Sequence, residues 1–484
     1  MDRQNISREN YQTYVWFRQA AERGDAYAQF NLALMYKKGD CIERDYALAF
    51  KWLRQAALQG LAFAQNHLGA MYYNGRGVDK SDAEAAYWFR HAAEQGDPSA
   101  QQNLGQMYRK GCGVELSHEM ALGWFYRAAE QGVASAQGLL AECYLYGQGA
   151  PVNFPLAMAW FRKGAVQGEP AAQLNLGLMY KRGQGVEVDE AQALCWFRQS
   201  AAQGNALAQR QLGVAYADGL GVRADPLRAF AWLQRAAEQG QKDAQFSLGV
   251  MLANGQGVEQ DEPRALSWYL RAAEQGHVLA QYNLGSMYAN GRGAPRDEVR
   301  ALEWYRRAAE QGAPNAQFNL GVIYASGNGV QRDDQLAARW YRVAAEQGDA
   351  SAQNNLGVMY ANGQGLPQDD AMAVFWYGQA AEQGHALAQY NLAGMYGGGR
   401  GVARDSVRSY MWMLLAADGG DDTASANKSI VARRLTPAEI GSALDQLRVW
   451  QVSHARRRDE PGATPGAVKR AQADPQGGAG GPLH

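Results

Sequence analysis

The chain has 484 residues with 47 basic and 48 acidic side chains, a net charge of −1 and 47% hydrophobic residues. That balance excludes wholesale binding to nucleic acid or to an anionic membrane and fits a soluble folded protein. No stretch approaches the roughly 18 consecutive apolar residues of a membrane helix, and residues 1–25 carry no apolar core of signal type.

The first predicted element is a helix over Tyr11–Arg23 that carries Trp16. Trp16 also begins a ruler. Trp52, Trp88, Trp124, Trp160, Trp196, Trp232, Trp268, Trp304, Trp340, Trp376 and Trp412 follow, each 36 residues after the last, with no insertion or deletion. A fixed period of this size marks a stacked repeat array, in which each unit contacts chiefly its neighbours and the core is a continuous seam.

The segment Val278–Gly312 shows one unit. Ala280, Leu284, Met287 and Tyr288 stand at helical spacing and predict a first helix of about three turns. Gly291-Arg292-Gly293 ends it, because glycine takes the left-handed conformation a helix stop needs. Asp297 opens a second helix, and its equivalents, from Asp45, Ser81, Ser117 and Asn153 to Asp405, are all good N-cap types. This helix is predicted to bury Ala301, Trp304, Tyr305, Ala308 and Ala309, with the Trp filling the wider gap beside the paired alanines. It closes at Gly312, a glycine that recurs from Gly24 to Gly420. Gln281 recurs from Gln29 to Gln389. A position identical in every copy is expected to serve the repeat itself, here as a partly buried amide satisfying neighbouring backbone groups. The tyrosines equivalent to Tyr288 are likewise expected to pack in the seam.

The string Ala-Gln-x-Asn-Leu-Gly-x-Met-Tyr, then Gly-x-Gly-Val, Asp, Ala, Trp and Ala-Ala-Glu-Gln-Gly, resembles the Sel-1-like repeat, a relative of the tetratricopeptide repeat. Ala316–Tyr324, Gly327-Asn328-Gly329-Val330, Asp333, Trp340 and Ala344-Ala345-Glu346-Gln347-Gly348 represent it well. The likeness covers roughly residues 12–420. It implies an all-α fold, a right-handed αα-superhelical solenoid of about eleven 36-residue repeats with terminal capping helices. It also implies an adaptor of bacterial type, acting in complex assembly, signalling or host interaction. Some secreted relatives carry a cysteine pair per repeat, and a few of those are linked to β-lactam binding. This chain lacks the pair.

After Gly420 the pattern breaks, with Ser425 standing where Gln would fall. A helix is predicted over Thr423–Arg434. Thr436-Pro437-Ala438-Glu439 then forms a capping box that starts a closing helix with Ile440, Leu444, Leu447 and Trp450 on one face. The expected organisation is an N-terminal capping helix within 1–25, an array over 26–420, a capping pair over 421–458 and a disordered tail over 459–484.

Catalysis needs convergent polar groups with matched roles. The seven histidines show no recurring acidic or thiol partner, no CxxC, HExxH or P-loop string occurs, and the Gly-x-Gly loops follow helices rather than strands. Neither an enzyme nor a bound cofactor or metal is therefore expected. Cys41, Cys112, Cys143 and Cys195 fall at four different phases of the repeat, which reads as free thiols in a reducing compartment and places the chain in the cytoplasm.

Specificity is sought where a fixed face varies. The residue after each Gln is aromatic at Phe246, Tyr282, Phe318 and Tyr390, a candidate apolar strip along the first helices. Beside it Asn283, Asn319, Asn355 and Asn391 are candidates to hydrogen-bond a bound peptide, though that Asn is also part of the family consensus. At first-helix ends Lys37, Lys38, Arg109, Lys110, Lys181 and Arg182 form a basic cluster suited to an acidic partner segment. On the second helices, Arg90, Arg162, Arg198, Arg306 and Arg342 read as a solvated outer row, partly neutralised by Glu94, Glu310 and Glu346. The function expected is a non-catalytic scaffold binding protein segments on its concave face. The alternatives are a secreted effector of the same fold and, further off, a β-lactam-hydrolysing relative.

Overall fold

The computed structural model describes residues 3–39 and 42–459, so Cys41 and the tail 460–484 lie outside the described residues. Among the described residues all regular structure is helical. A helix Arg3–Glu22 is followed by pairs of helices of 13 residues each, from Ala26–Lys38 and Tyr46–Leu58 to Ala386–Gly398 and Ser406–Asp418. Asp422–Ala432 and Pro437–Asp459 complete the chain. It divides into two compact units, Met1–Ala244 and Gln245–His484, built on the same rules.

Every second helix begins where its side chain cap predicts. Asp45, Ser81 and Asn153 each accept from the backbone N–H three residues on, as do their counterparts through Asp405. The N–H of the same residue donates to the carbonyl of the first-helix Tyr, Asp45 to Tyr36 at 3.0 Å and Asp405 to Tyr396 at 3.0 Å. The glycine loop is thereby closed at its base. Its second glycine is confined on two counts: Gly113 has φ +66°, and a Cβ there would lie 2.0 Å from the Asp82 carbonyl oxygen at the start of the preceding second helix.

The recurring glutamine joins three helices. Gln65 Nε2 donates to the carbonyl of Ala57, in the last turn of the preceding second helix, at 3.2 Å. Its Oε1 accepts from Gln95 Nε2, at the end of the following second helix, at 2.7 Å. The same pair of bonds recurs at Gln101, Gln137, Gln173 and Gln209 in the first unit and at Gln281, Gln317 and Gln353 in the second.

The core is set by small residues. The leucine of each first helix and most of the paired alanines are buried, and in most copies a glycine after that leucine receives the side chain that follows the Trp, with Ala33, Ala141 and Ala393 in the others. A Cβ on Gly105 would lie 2.6 Å from the Phe125 ring, and one on Gly285 2.6 Å from the Tyr305 ring. The residue after the Trp is thus the deeper plug. The Trp itself seats against the preceding pair of helices, Trp88 with Ala49, Leu53 and Leu68. Trp16, with no preceding pair among the described residues, is 62% exposed.

The capping box forms as read: Thr436 N–H donates to Glu439 Oε2 at 2.8 Å, and Glu439 N–H to Thr436 Oγ1 at 3.3 Å. The packed face of the closing helix is shifted from the expected one. Ala443 is fully buried, Leu447 and Trp450 pack beside it, and Leu444 is exposed, because the helix lies against Ser406–Asp418 with Trp450 on Trp412.

The glutamine tie has an open end. Gln389 Nε2 donates to the Ala381 carbonyl at 3.1 Å, but its buried Oε1 has no partner, since Gly419 stands where the earlier copies carry Gln. A Cβ at 419 meets Ala386 Cβ at 3.0 Å, so Gly419→Ala serves as the control for that crowding. Gly419→Gln is expected to be more stable than Gly419→Ala by about 1 kcal/mol, the net value of one buried amide bond, in urea denaturation.

Candidate protein-binding faces

The two sets of candidate residues lie in different units. In the second unit, the aromatic strip is half-buried and backed by the second helices. Phe246 lies 5.8 Å from the Tyr269 ring and stacks on His277 at 4.5 Å; Tyr282 meets Tyr305 at 5.8 Å and Phe318 meets Tyr341 at 5.9 Å. Tyr390 accepts from Asn427 Nδ2 at 3.3 Å. One side of each ring is therefore structural, with Tyr282 and Phe318 packed within their own repeat and Tyr390 held from the next helix pair.

The asparagines are engaged in the fold. Asn283, Asn319 and Asn355 hydrogen-bond the hydroxyls of Tyr269, Tyr305 and Tyr341, tyrosines whose burial raises their pKa, to about 12 for the first two. Asn391 Nδ2 donates to Asn354 Oδ1 at 3.0 Å, and Asn103 to Asn66 at the same distance. These bonds stitch each repeat to the next.

In the first unit the basic cluster splits by position. Lys37, Arg109 and Lys181 are half-buried and reach the next first helix: Lys37 Nζ lies 3.4 Å from His67 Nδ1, Arg109 pairs with Glu142 at 3.0 Å, and Lys181 donates to Gln211 at 3.3 Å. Lys38, Lys110 and Arg182 are exposed beside them. The outer Arg row is exposed at Arg90, Arg162, Arg198 and Arg306 and half-buried at Arg342. Arg90, Arg162, Arg198, Arg306 and Arg342 each donate to the tyrosine hydroxyl 18 residues on, from Arg90 to Tyr108 at 2.9 Å to Arg342 to Tyr360 at 2.8 Å. Each guanidinium thus finds a fixed acceptor across the helix pair while the row stays on the solvated face.

Sequence reasoning passed over a more exposed row. Two residues before the recurring Gln stand Tyr27, Phe63, Leu207, Leu279 and Leu387, all prominently exposed on first helices, with Tyr27 at 66%. Tyr27 and Phe63 flank Phe30, whose ring lies 6.5 Å from Phe63 and 5.4 Å from His67. The signal was available, because this phase varies between repeats just as the one after the Gln does.

Among the described residues no group of three or more His, Cys, Asp or Glu is placed to hold a metal, and no helix is long and apolar enough to cross a membrane. The family model described as Sel1 repeat matches twelve segments, the first 5–25, then 26–61 onward to 386–421.

The chain belongs to the Sel1 repeat family.

The short first match is the lone helix that carries Trp16. No curated protein matches this Sel1 repeat chain. Among solved structures it is similar to c5321, described as a protective antigen present in uropathogenic Escherichia coli strains and displaying an SLR fold. The identity is 36%, over 96% of this chain and 99% of that one, with a TM-score of 0.76. A Sel1 repeat protein from Oxalobacter formigenes is 36% identical over 64% of this chain and 89% of its own, with a TM-score of 0.50. The fold is thus an all-α solenoid of Sel1-like repeats.

Within this Sel1 array His67 is the titratable group most altered by its place on the first-helix face. Burial, helped by the Lys37 charge, lowers its pKa from 6.5 to about 4. The unfolded chain takes up this proton at higher pH than the folded one. Stability that is present at neutral pH is therefore lost as pH falls from about 6.5 towards 4, on the order of 2 kcal/mol. His67→Gln is expected to shrink the difference between urea midpoints measured at pH 7 and at about pH 4.5.

Proposed function

We propose that this protein is a non-catalytic scaffold that holds segments of partner proteins along the first-helix face of its repeats, in bacterial complex assembly or signalling. The observation that carries the reading is the exposed row of Tyr27, Phe63, Leu207, Leu279 and Leu387. Large apolar side chains recur at one phase of one face, while the invariant residues are occupied in holding the repeats together. Direct approach of neighbouring first helices supports the inner position of that face within each unit: Ala134–Tyr146 touches Pro170–Arg182, and Pro314–Ser326 touches Ala350–Asn362. In the first unit Lys37 reaches His67, whose ring also meets Phe30, and this favours a segment that combines apolar anchors with an acidic group.

A photocrosslinking residue placed at Tyr27 or Leu279 is expected to capture partner protein in the native cell, whereas one at Leu58, an exposed second-helix position, is not. Equal capture from both faces, or capture from Leu58 alone, overturns the reading.

A second reading, action outside the cell, is favoured by the likeness to c5321, an antigen. Fractionation against a cytoplasmic marker enzyme separates the two: the scaffold reading expects the chain with the marker, and the second expects it in the medium or at the cell surface without lysis.

A further inference from the structure

Five of the lattice tryptophans carry a cation over the indole, supplied three residues later by the same helix. Arg127 lies 4.5 Å from Trp124, Lys163 3.7 Å from Trp160, and Arg235, Arg271 and Arg307 sit in the same way on Trp232, Trp268 and Trp304. At Trp412 that place is taken by Leu415. Here the chain instead leaves a cleft of about 940 Å³ between Ser406–Asp418 and the closing helix, lined by Trp412, Trp450, Tyr396, Glu382 and Asp445, with Arg408 at its side.

The cleft is chemically lopsided. The two indoles meet at 6.0 Å with their planes at 72°, and Trp450 Nε1 donates to Glu382 Oε2 at 3.2 Å, which holds a carboxylate at the aromatic wall. Asp445 pairs with Arg448 at 3.8 Å, with both side chains more than three-quarters exposed, an arrangement worth little in water. Arg408 lines the same cleft and is engaged there: it lies 5.6 Å over the Tyr396 ring, donates to the Tyr396 hydroxyl at 3.4 Å and pairs with Asp405 at 3.6 Å. His454 stacks on Trp450 at 4.4 Å. Two carboxylates, this one engaged guanidinium and the two indoles therefore border a volume large enough for a side chain.

We propose that this cleft is a binding site for an arginine side chain of a partner polypeptide. A guanidinium is planar, is attracted to indole faces and presents a fork of donors to carboxylates, and it is less strongly hydrated than an ammonium. The carboxylates disfavour phosphate and other anions at the same place. The site lies on second helices at the C-terminal end and does not rest on the first-helix reading.

The test is calorimetric titration of the full chain with the capped peptide acetyl-Gly-Arg-Gly-amide and with its neutral isostere carrying citrulline. The arginine peptide is expected to bind at least tenfold more tightly than the citrulline peptide. Glu382→Gln combined with Asp445→Asn, which keeps shape and the Trp450 acceptor, is expected to abolish that preference at an unchanged melting temperature. Equal binding of the two peptides, no binding of the arginine peptide at about 10 mM, or full binding by the folded double variant overturns the proposal. If the double variant melts early, the two peptides on the unaltered chain decide alone.

Discussion

A buried amide that satisfies both its halves on two different helices governs this fold. The last carbonyls of a helix have no acceptor role inside it, and Gln65 supplies a donor to one of them at Ala57 while accepting from Gln95. Leaving either half unpaired in the core costs about 1–3 kcal/mol, more than the bond itself contributes, so the arrangement is held by the penalty for breaking it. Each amide orients the second helix behind it, its own helix and the end of the second helix ahead. The partners stand 30 residues apart, as at Gln29 and Gln59 or Gln353 and Gln383, and at Gln389 that place holds Gly419. Any change of length between them must leave both ends in place, which accounts for a period without insertions.

The other invariant residues serve that same geometry. Helices fixed by the amide lie close enough that in most copies the residue after the Trp presses on a glycine backbone, as Phe125 does on Gly105, where a Cβ would lie 2.6 Å from the ring. The tryptophans lie at the margin of this contact, and five of them carry a cation from their own helix. The arginines one place earlier are drawn across to tyrosine hydroxyls of the next first helix. A side chain that recurs at a fixed phase meets the same neighbours each time, so conspicuous residues here are structural almost by construction.

Much of this was legible in the residue order. The period, the glycine stops, the caps at Asp45 to Asp405 and the capping box at Thr436 each depend on a few adjacent residues, and local rules reach that far. The role of the recurring Gln was legible in kind, though its partner Gln 30 residues away was not. The bond from Arg306 to Tyr324 was not legible, because Glu310 is its neighbour on paper whereas Tyr324 lies on the next helix. The same distance effect removed Asn283, Asn319 and Asn355 from the unoccupied surface. Leu444 was placed inward by spacing alone, and only the approach of the closing helix to Ser406–Asp418 turns Ala443 inward instead.

What remains exposed has a spacing of its own. Packed helices lie about 8–10 Å apart, and an extended chain advances about 3.3 Å per residue, so a partner crossing neighbouring first helices meets a new one roughly every third residue. Tyr27 and Phe63 occupy equivalent places on adjacent first helices, and Phe30 lies between them. On the proposed reading, a segment lying over this pair would present apolar side chains three residues apart. In the second unit Leu279 and Leu387 are separated by intervening repeats whose equivalent residues, Asn315 and Ser351, are polar. The two units therefore offer different patterns on the same scaffold: a dense aromatic pair in one, and widely spaced aliphatic anchors with polar ground between in the other. Selectivity in such an array comes from which repeats carry an anchor, a property the constant period leaves open to variation without disturbing the amides that hold the stack.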